Sequence, residues 1–284
     1  MTAALNGRTA LVTGAAGGFG SQFTRALLRA GAAVMATDID EDGLERLGTT
    51  MRGAGLASDL DLRPLDISDC EACASAVEAT DRRFGSLDIL INNGALGMPA
   101  IREDSLTNLL AIEEVTPAWW DRMVAVNLSG AWYMTRAAVP GMKRRGWGRI
   151  ITVTTSFFSM LRGRFHPYGP AKAGLEAMAA GHAREFAPDG ITVNVVIPGG
   201  LADTPMVPES SGYRREDMVP AVKMVPPVLW LCSSAADGVT GQRYVAAHWD
   251  ETAPVAAARA ASEAPIAWPE LAQTPVWPGG KPDD

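Results

Sequence analysis

A tyrosine and a lysine stand four residues apart near the middle of the chain, at Tyr168 and Lys172 in the segment YGPAK. On a helix, residues at i and i+4 share one face, so the ammonium of Lys172 can lie near the phenol of Tyr168. A free tyrosine titrates at about pH 10, and a fixed cation lowers that pKa because it favours the phenolate. The pair could then exchange a proton with a substrate oxygen near neutral pH. The alternative interpretation is a partly exposed tyrosine beside a solvated lysine.

Three hydroxyl side chains, Thr154, Thr155 and Ser156, precede this pair at the end of a predicted strand. Adjacent residues on a strand point to opposite faces, so Thr155 and Ser156 cannot serve the same site equally. A threonine keeps the donor and acceptor capacity of a serine and adds a methyl group and a stiffer χ1. One of these hydroxyls is therefore a candidate third member of the site.

A glycine-rich segment near the N-terminus, TGAAGGFG at 13–20, lies between a predicted strand and a predicted helix. Gly14, Gly18 and Gly20 permit a tight turn, a close backbone approach and close packing of the helix on the strand. The N–H groups at the start of that helix can then bind a pyrophosphate. The motif predicts a dinucleotide site at the first strand–helix junction.

An aspartate, Asp38, ends the second predicted strand. A carboxylate at this point can accept hydrogen bonds from both hydroxyls of an adenosine ribose and would repel a 2′-phosphate. A cofactor that carries this phosphate needs a nearby cation, but the candidate positions hold Ala15, Ala16 and Ile39. The pattern therefore favours NAD(H) over NADP(H). The alternative is that Asp38 caps the next helix, which Asp40 could do equally well.

Apolar strands alternate with longer helical stretches along the chain, which is typical of a parallel sheet covered by helices on both faces. The pattern predicts an α/β fold: a single Rossmann-type doubly wound domain over residues 1–250, with a seven-stranded parallel sheet. A helix over 68–84 would begin with Ser68 as its N-cap. Residues 251–284 form an Ala/Pro-rich tail that we expect to lack regular structure, either as an ordered wrap or partly disordered. The predicted strands are 8–13, 32–38, 60–66, 87–92, 148–155, 191–197 and 242–247.

The chain of 284 residues carries a formal net charge of −7 and no basic block, which argues against nucleic acid or an anionic membrane as its partner. It contains no run of about eighteen apolar residues and no charged segment leading into a long apolar stretch, so we expect a cytoplasmic protein.

Two of the three cysteines, Cys70 and Cys73, form a C-x-x-C that is compatible with a redox pair or with half of a zinc site. No second C-x-x-C and no nearby histidine completes a metal site. The favoured interpretation is therefore two small residues on consecutive turns of one helix, and no metal is predicted.

Taken together, these features resemble the classical short-chain dehydrogenases/reductases, over roughly residues 5–250. Their order along the chain and their positions on the predicted elements make the resemblance specific. The features that carry it are TGAAGGFG, Asp38, LDI at 65–67, NNGA at 92–95, Asn127 in VAVNLSG, the hydroxyl-rich end of the fifth strand, YGPAK and VNVVIPGG at 193–200.

The resemblance implies a role for each member of the candidate catalytic group. Tyr168 would be the acid/base, Lys172 would lower its pKa and bind the nicotinamide ribose, and Asn127 would hold a proton-relay water. The family places a substrate-polarising serine thirteen residues before the tyrosine, and 168 − 13 = 155, which is Thr155 here. Ser156 is the rival for this role if the fifth strand kinks early.

The same resemblance implies the contacts of the dinucleotide. Asp66 and Ile67 would flank the adenine, Asn93 would support the cofactor, and the segment 198–204 would reach toward the nicotinamide. The complete predicted cofactor-binding set is Gly14, Gly18, Phe19, Gly20, Asp38, Ile39, Asp66, Ile67, Asn93, Tyr168, Lys172, Pro198, Gly199 and Thr204.

The predicted function is that of an NAD(H)-dependent alcohol dehydrogenase or ketoreductase, which passes a hydride between nicotinamide and a secondary alcohol or ketone. The small-molecule substrate is expected to be partly apolar, because apolar residues at 157–161 would line its pocket unless half of them pack inside. The segment 201–219 is expected to be a mobile lid. Relatives are usually dimers or tetramers, so a homo-oligomer, such as a homotetramer, is expected.

Two alternatives remain at this stage. The altered hydroxyl at Thr155 would fit a non-catalytic dinucleotide sensor or scaffold of the same fold. The second alternative is an epimerase or dehydratase related to the longer, extended members of the family, and the spacing of the glycines argues against it.

Overall fold

The structure is a computed structural model that describes residues 5–271. Apolar runs rich in β-branched residues form its strands, and amphipathic stretches between them form its helices. The strands are β1 (Thr9–Thr13), β2 (Ala33–Asp38), β3 (Leu60–Pro64), β4 (Ile89–Asn92), β5 (Gly148–Val153), β6 (Ile191–Ile197), β7 (Ala202–Asp203), β8 (Val219–Pro220), β9 (Gln242–Val245) and β10 (Glu263–Pro265). The helices are α1 (Gly18–Arg29), α2 (Glu41–Gly53), α3 (Cys70–Phe84), α4 (Pro117–Val124), α5 (Gly130–Arg145), α6 (Phe157–Leu161), α7 (Tyr168–Phe186), α8 (Val225–Cys232) and α9 (Val255–Ser262).

The main sheet has the strand order β10-β9-β6-β5-β4-β1-β2-β3. The seven strands from β9 to β3 are parallel, as predicted, but β10 adds an eighth strand that runs antiparallel to β9. The predicted count of seven was therefore wrong by one strand. The neighbours of β1 are β4 on one side and β2 on the other, so the strand order reverses there, and a crevice is expected at the carboxyl ends of these strands.

Helices cover both faces of the sheet and bury two apolar layers. Side chains of α1, α2 and α8, such as Leu27, Leu47 and Leu231, form one layer with the sheet. Side chains of α3, α5 and α7, such as Val77 and Met134, form the other. The doubly wound α/β prediction is confirmed by this arrangement.

The beginning of the Ala/Pro-rich tail is regular, contrary to the prediction. Pro254 lies immediately before α9, and Pro265 is the last residue of β10, so both prolines stand at element ends where they break no hydrogen bond of the element interior. The alanine-rich stretch between them has high helix propensity. The tail residues beyond 271 lie outside the described residues.

Two predicted boundaries also shift. Asp69, not Ser68, is the N-cap of α3, because its carboxylate accepts the N–H groups of Glu71 and Ala72. The fifth strand ends at Val153 and not at Thr155, so Thr154 and Thr155 lie beyond the ladder.

The C-x-x-C lies on consecutive turns of α3, with Cys73 buried. Burial raises the pKa of the Cys73 thiol to about 12, which keeps it protonated and unreactive. Between residues 5 and 271 no group of three or more His, Cys, Asp or Glu side chains could hold a metal ion. Across the same residues, no helix has the length and apolar character needed to cross a membrane.

Candidate active site

The glycine-rich turn joins β1 to α1 with very little room for side chains. Gly14 has φ +64, and a Cβ added there would lie 2.7 Å from the Gly94 Cα. A Cβ on Gly20 would lie 2.0 Å from the Gly14 carbonyl oxygen. Helix α1 starts after Gly17, so no side chain caps its first N–H groups. The turn therefore presents a bare helix N-terminus, which suits a phosphate group.

Asn93 ties the end of β4 to this turn. Its side-chain amide donates to the carbonyl oxygens of Thr13, at 2.9 Å, and Gly14, at 3.0 Å. In return, the Thr13 hydroxyl accepts the backbone N–H groups of Asn93 and Gly94, each at 3.0 Å. The sequence analysis did not single out Thr13, although a buried hydroxyl just before a glycine turn is a signal that could have identified it.

Asp38 faces the glycine-rich turn and does not cap the next helix. One carboxylate oxygen accepts the Ala16 N–H at 2.9 Å and the other accepts the Asp40 N–H at 3.1 Å. Asp40 is the N-cap of α2. Its carboxylate also pairs with Arg46, 3.2 Å away, a cation that the sequence analysis did not consider.

The residues expected at the adenine lie just after β3. Asp66 accepts hydrogen bonds from the Ser68 backbone and hydroxyl, at 2.9 and 2.7 Å, and pairs with Arg122 at 3.0 Å. Burial acts to raise the pKa of Asp66, but these hydrogen bonds and the Arg122 charge outweigh it and lower the pKa. Ile67 is buried and packs close to Gly94. Ile39, the residue after the end of β2, leaves 59% of its surface exposed.

Asn127 lies in a π-helical turn, Ala125–Ser129, that joins α4 to α5. Its side chain is buried and doubly bonded to one residue: its amide donates to the Leu96 carbonyl at 2.8 Å, and its oxygen accepts the Leu96 N–H at 2.7 Å. The side chain thereby fixes the start of the 96–115 connection. Such π turns inside helices are frequent at functional sites.

Tyr168 and Lys172 lie at the start of α7, on one face of the helix. The buried Lys172 ammonium donates to the Val153 carbonyl at 2.9 Å and lies 6.0 Å from the centre of the Tyr168 ring. Burial lowers the pKa of Lys172 to about 8.

The pKa of the Tyr168 phenol is raised by burial, and a hydrogen bond with the Thr155 side chain acts in the opposite direction. This differs from the sequence expectation of a phenol whose pKa is lowered by Lys172. The physical reason is that the ammonium is directed at the Val153 carbonyl, whereas the phenol is removed from water.

Thr155 and Ser156 have different partners. The Thr155 side chain lies beside the Tyr168 phenol, where its polar interaction acts to lower the pKa of the phenol. The Ser156 hydroxyl caps α6, where it accepts the Ser159 N–H at 3.1 Å. The two residues differ because Ser156 occupies the N-cap position of α6 and Thr155 does not. Alternation along a strand is not the cause, because β5 ends at Val153. The structure therefore brings Thr155 to Tyr168 and keeps Ser156 in a capping role.

The apolar wall beside Tyr168 differs from the one expected at 157–161. Phe165 packs edge-on against Tyr168, with ring centres 5.6 Å apart, and forms a small buried cluster with Met98 and Leu110. Phe158 and Leu161 leave 73% and 76% of their surface exposed. Neither Phe165 nor the 96–115 connection was predicted to contact Tyr168, since only the tertiary structure brings them there.

The segment 201–219 folds over the glycine-rich turn. Its ends pair as the short strands β7 and β8. A Cβ on Gly18 would lie 2.7 Å from the side chain of Thr204, and a Cβ on Gly97 would lie 2.6 Å from that of Met206. Arg215 secures the segment by donating to the carbonyl of Val207 at 2.7 Å. The segment thus bridges the turn and the 96–115 connection.

The residues that lead into this segment are fixed by β9. The Pro198 carbonyl accepts the Ala247 N–H at 3.0 Å. Gly199 has φ +96, and a Cβ there would lie 2.7 Å from Val245. Phe19 lies on the other side of the turn, and its ring centre is 6.3 Å from that of Phe23. The fourteen residues of the predicted cofactor set lie at or just after the carboxyl ends of β1, β2, β3, β4, β6 and β7 or in the first two turns of α1 and α7.

Comparison with known proteins gives a consistent result. The family model described as short chain dehydrogenase matches residues 8–214. The chain is 32% identical to a D-beta-hydroxybutyrate dehydrogenase of Cupriavidus necator, over 75% of this chain and 77% of that protein. It is 33% identical to a 3-oxoacyl-(acyl-carrier-protein) reductase of Pseudomonas aeruginosa, over 84% and 94% of the two chains. A solved actinorhodin polyketide ketoreductase with NADPH superposes with a TM-score of 0.71 at 27% identity, over 82% and 93%.

Proposed function

The chain belongs to the short-chain dehydrogenase family and is an oxidoreductase, and on that premise we propose that it interconverts a secondary alcohol and a ketone with NAD(H). The observation that carries this proposal is the cluster of Tyr168, Lys172 and Thr155 at the end of β5. It lies beside a crevice whose glycine turn and bare helix N-terminus fit a dinucleotide.

The crevice would hold the dinucleotide through the predicted residues. The N–H groups at the start of α1 would bind the pyrophosphate, and Asp38 would bind the adenosine ribose. Asp66 and Ile67 would flank the adenine, and the segment 198–204 would lie over the nicotinamide. The cofactor, when bound, supplies or accepts the hydride.

Tyr168 would exchange a proton with the substrate oxygen. Burial keeps its phenol protonated, which is the form needed to donate to a ketone oxygen. The hydroxyl of Thr155, whose side chain lies beside the phenol, would polarise the same oxygen. Lys172 would contribute a fixed positive charge and a contact to the nicotinamide ribose, and Asn127 would order a relay water through its π turn.

The preference for NAD(H) rests on Asp38. Its carboxylate is held against the glycine-rich turn by the Ala16 N–H, where it would repel a 2′-phosphate. The nearby Arg46 pairs with Asp40, but both side chains are more than half exposed and such surface pairs are weak, so the preference rests on Asp38 and not on this pair. The structural neighbour with NADPH shows that the fold also accommodates the phosphorylated cofactor, which makes Asp38 the residue to test.

The substrate is proposed to carry an apolar portion beside its oxygen. The buried cluster of Phe165, Met98 and Leu110 offers an apolar wall next to Tyr168. The names of the relatives suggest 3-hydroxybutyrate and 3-oxoacyl thioesters as the first compounds to assay. The non-catalytic alternative is not favoured, because the similar proteins are named as a dehydrogenase and a reductase.

The test is a substrate panel with the wild-type chain and the Tyr168→Phe variant. The panel contains 3-hydroxybutyrate with NAD+, acetoacetyl-coenzyme A with NADH or NADPH, and simple secondary alcohols and ketones. Tyr168→Phe should reduce kcat by about 10²- to 10⁴-fold, the usual contribution of a general acid, with the Kd for NADH nearly unchanged. Normal turnover by this variant would refute the mechanism, and binding of NADH without turnover across the panel would favour a sensor.

A further inference from the structure

The end of β5 is held by charged side chains and not by the sheet. The ladder between β5 and β6 stops at the pair Val153 and Val196, so Thr154 and Thr155 have no partner strand. The Thr154 hydroxyl donates to a carboxylate oxygen of Glu176 at 2.7 Å. The Thr155 carbonyl accepts a hydrogen bond from the guanidinium of Arg243 at 2.6 Å.

Glu176 and Arg243 face each other in the interior. Glu176 lies one turn after Lys172 on α7 and is fully buried, and Arg243 comes from β9 with 4% of its surface exposed. The Arg243 Nε lies 3.6 Å from the Glu176 Oε1. Burial of two charges is costly, and their attraction does not in general exceed this cost. Net stability is therefore a weak reason for this arrangement.

The C-terminal segment covers the pair. The Ala267 N–H donates to the Glu176 Oε1 at 3.4 Å. The Trp268 ring packs on Phe157, with ring centres 5.5 Å apart, and the Arg243 guanidinium lies 4.2 Å from the centre of the same Phe157 ring. Strand β10 and the residues after it thereby shield Glu176 and Arg243 from water.

We propose that Glu176 and Arg243 are positioning residues that set the direction of Thr155 toward Tyr168. Arg243 fixes the Thr155 carbonyl, and Glu176 fixes both the neighbouring Thr154 hydroxyl and the guanidinium itself. The backbone of residues 154–155, which leads into α6, is thus held in place, and this fixes the position of the Thr155 hydroxyl. The inference rests on the proposed function, since it concerns how that site keeps its geometry.

The experiment compares Glu176→Met, Arg243→Met and the double variant with a matched control, Arg149→Met. Arg149 is also a buried arginine, with 1% of its surface exposed, but it lies at the opposite end of β5, where it bonds to the Gly148 carbonyl and to Asp237. For each chain we would measure Tm, the Kd for NADH, and kcat and KM with the best substrate of the panel above.

Each single variant should lose Tm, because it leaves the other charge buried without its partner, and the double variant should recover most of that loss. The kcat of Arg243→Met and of the double variant should stay lower by about ten- to a hundredfold, the effect of losing a hydrogen bond from a charged donor. Arg243→Lys should restore part of kcat, because its ammonium can still donate to the Thr155 carbonyl. Arg149→Met should lose Tm with kcat within about twofold, as expected for a distant site.

Recovery of kcat together with Tm in the double variant would overturn the proposal, because the pair would then be merely structural. An equal loss of kcat in Arg149→Met would overturn it too, since any buried arginine of β5 would have the same effect. These outcomes count against this inference alone when Tyr168→Phe is inactive. If Tyr168→Phe retains turnover, the proposed function itself fails.

Amide hydrogen exchange gives a readout that requires no turnover. In the double variant, peptides that cover residues 154–159 should exchange faster than in the wild type, whereas Arg149→Met should leave them unchanged. Equal exchange of these peptides in the wild type and the double variant would contradict the proposal.

Discussion

The proposed cofactor half of the site and its proposed substrate half meet at Tyr168 but are built differently. The cofactor half consists of the glycine-rich turn, Asp38, Asp66 and Asn93, each located at or just after the carboxyl end of a parallel strand. The substrate half consists of the 96–115 connection, the loop that carries Phe165, and residues 205–218, none of which belongs to a strand. Strand ends are placed by the sheet, whereas connections are placed by whatever they pack against.

This difference predicts how the two halves respond to substitution. Changes in the cofactor half should alter nucleotide affinity or choice and leave substrate recognition intact. Changes in the substrate half should alter KM for the substrate and leave nucleotide binding intact. Changes at their junction should alter kcat.

The largest effect is expected at the junction. Thr155→Val should reduce kcat by about 10²- to 10³-fold, because it removes a hydrogen-bond donor aimed at the reacting oxygen. Ser156→Ala should leave kcat nearly unchanged and lower the free energy of unfolding by about 1 kcal/mol, the usual cost of losing an N-cap. Steady-state kinetics and denaturant unfolding of both variants check this. The reverse pattern in kcat would move the polarising role to Ser156.

A change of cofactor preference should follow from Asp38→Ala. Removal of the carboxylate should shift the ratio of kcat/KM with NADPH to that with NADH upward by about tenfold or more, which corresponds to about 1.4 kcal/mol. The KM for the substrate should stay the same. Asp69→Ala is the control, because it removes an aspartate that only caps α3. An unchanged ratio in Asp38→Ala would remove the basis for the NAD(H) preference.

A smaller effect is expected in the substrate half. Phe165→Leu should raise KM for the substrate by about two- to tenfold, because it removes the ring that would form the apolar wall beside the substrate, and an aromatic contact contributes about 0.5–1.5 kcal/mol. The Kd for NADH, measured by fluorescence titration, should not change. Phe158→Leu alters an exposed ring and should change neither quantity. A weaker NADH affinity in Phe165→Leu would contradict the prediction that the substrate half does not affect nucleotide binding.

A further effect concerns stability and not catalysis, namely the pH dependence of unfolding. The pKa of Lys172 is lowered from 10.5 to about 8 in the folded chain. Between these values the unfolded chain binds the proton and the folded chain does not, so the free energy of unfolding rises with pH in that window. Below about pH 8 both forms are charged and the full burial penalty remains. Urea unfolding between pH 7.5 and 10 should show a smaller rise for Lys172→Met than for the wild type, and an equal rise would contradict the lowered pKa.

The fold and the positions of the glycine-rich turn and Asp38 at strand ends were predictable from the sequence, because apolar strands, glycine turns and strand-end carboxylates are local patterns. The assignment of these residues to a dinucleotide stays a prediction. The structure of the tail was not predictable in this way. Its high proline content argued against α9 and β10, and these elements form because Pro254 and Pro265 lie at their ends. The substrate wall was missed for another reason. Phe165, Met98 and Leu110 are distant in the sequence and share no periodicity that would place them together.

The sequence by itself determined the doubly wound α/β architecture, the glycine-rich turn and the spacing of Tyr168, Lys172 and Thr155, because each depends on residue type and local periodicity. Only the tertiary structure decided which hydroxyl meets the tyrosine, since Ser156 is drawn into capping α6 while Thr155 is not. It also decided that Glu176 and Arg243, which are far apart in the sequence, form an ion pair next to Thr154 and Thr155. Contacts of this range depend on how strands are ordered in the sheet, which no local pattern encodes.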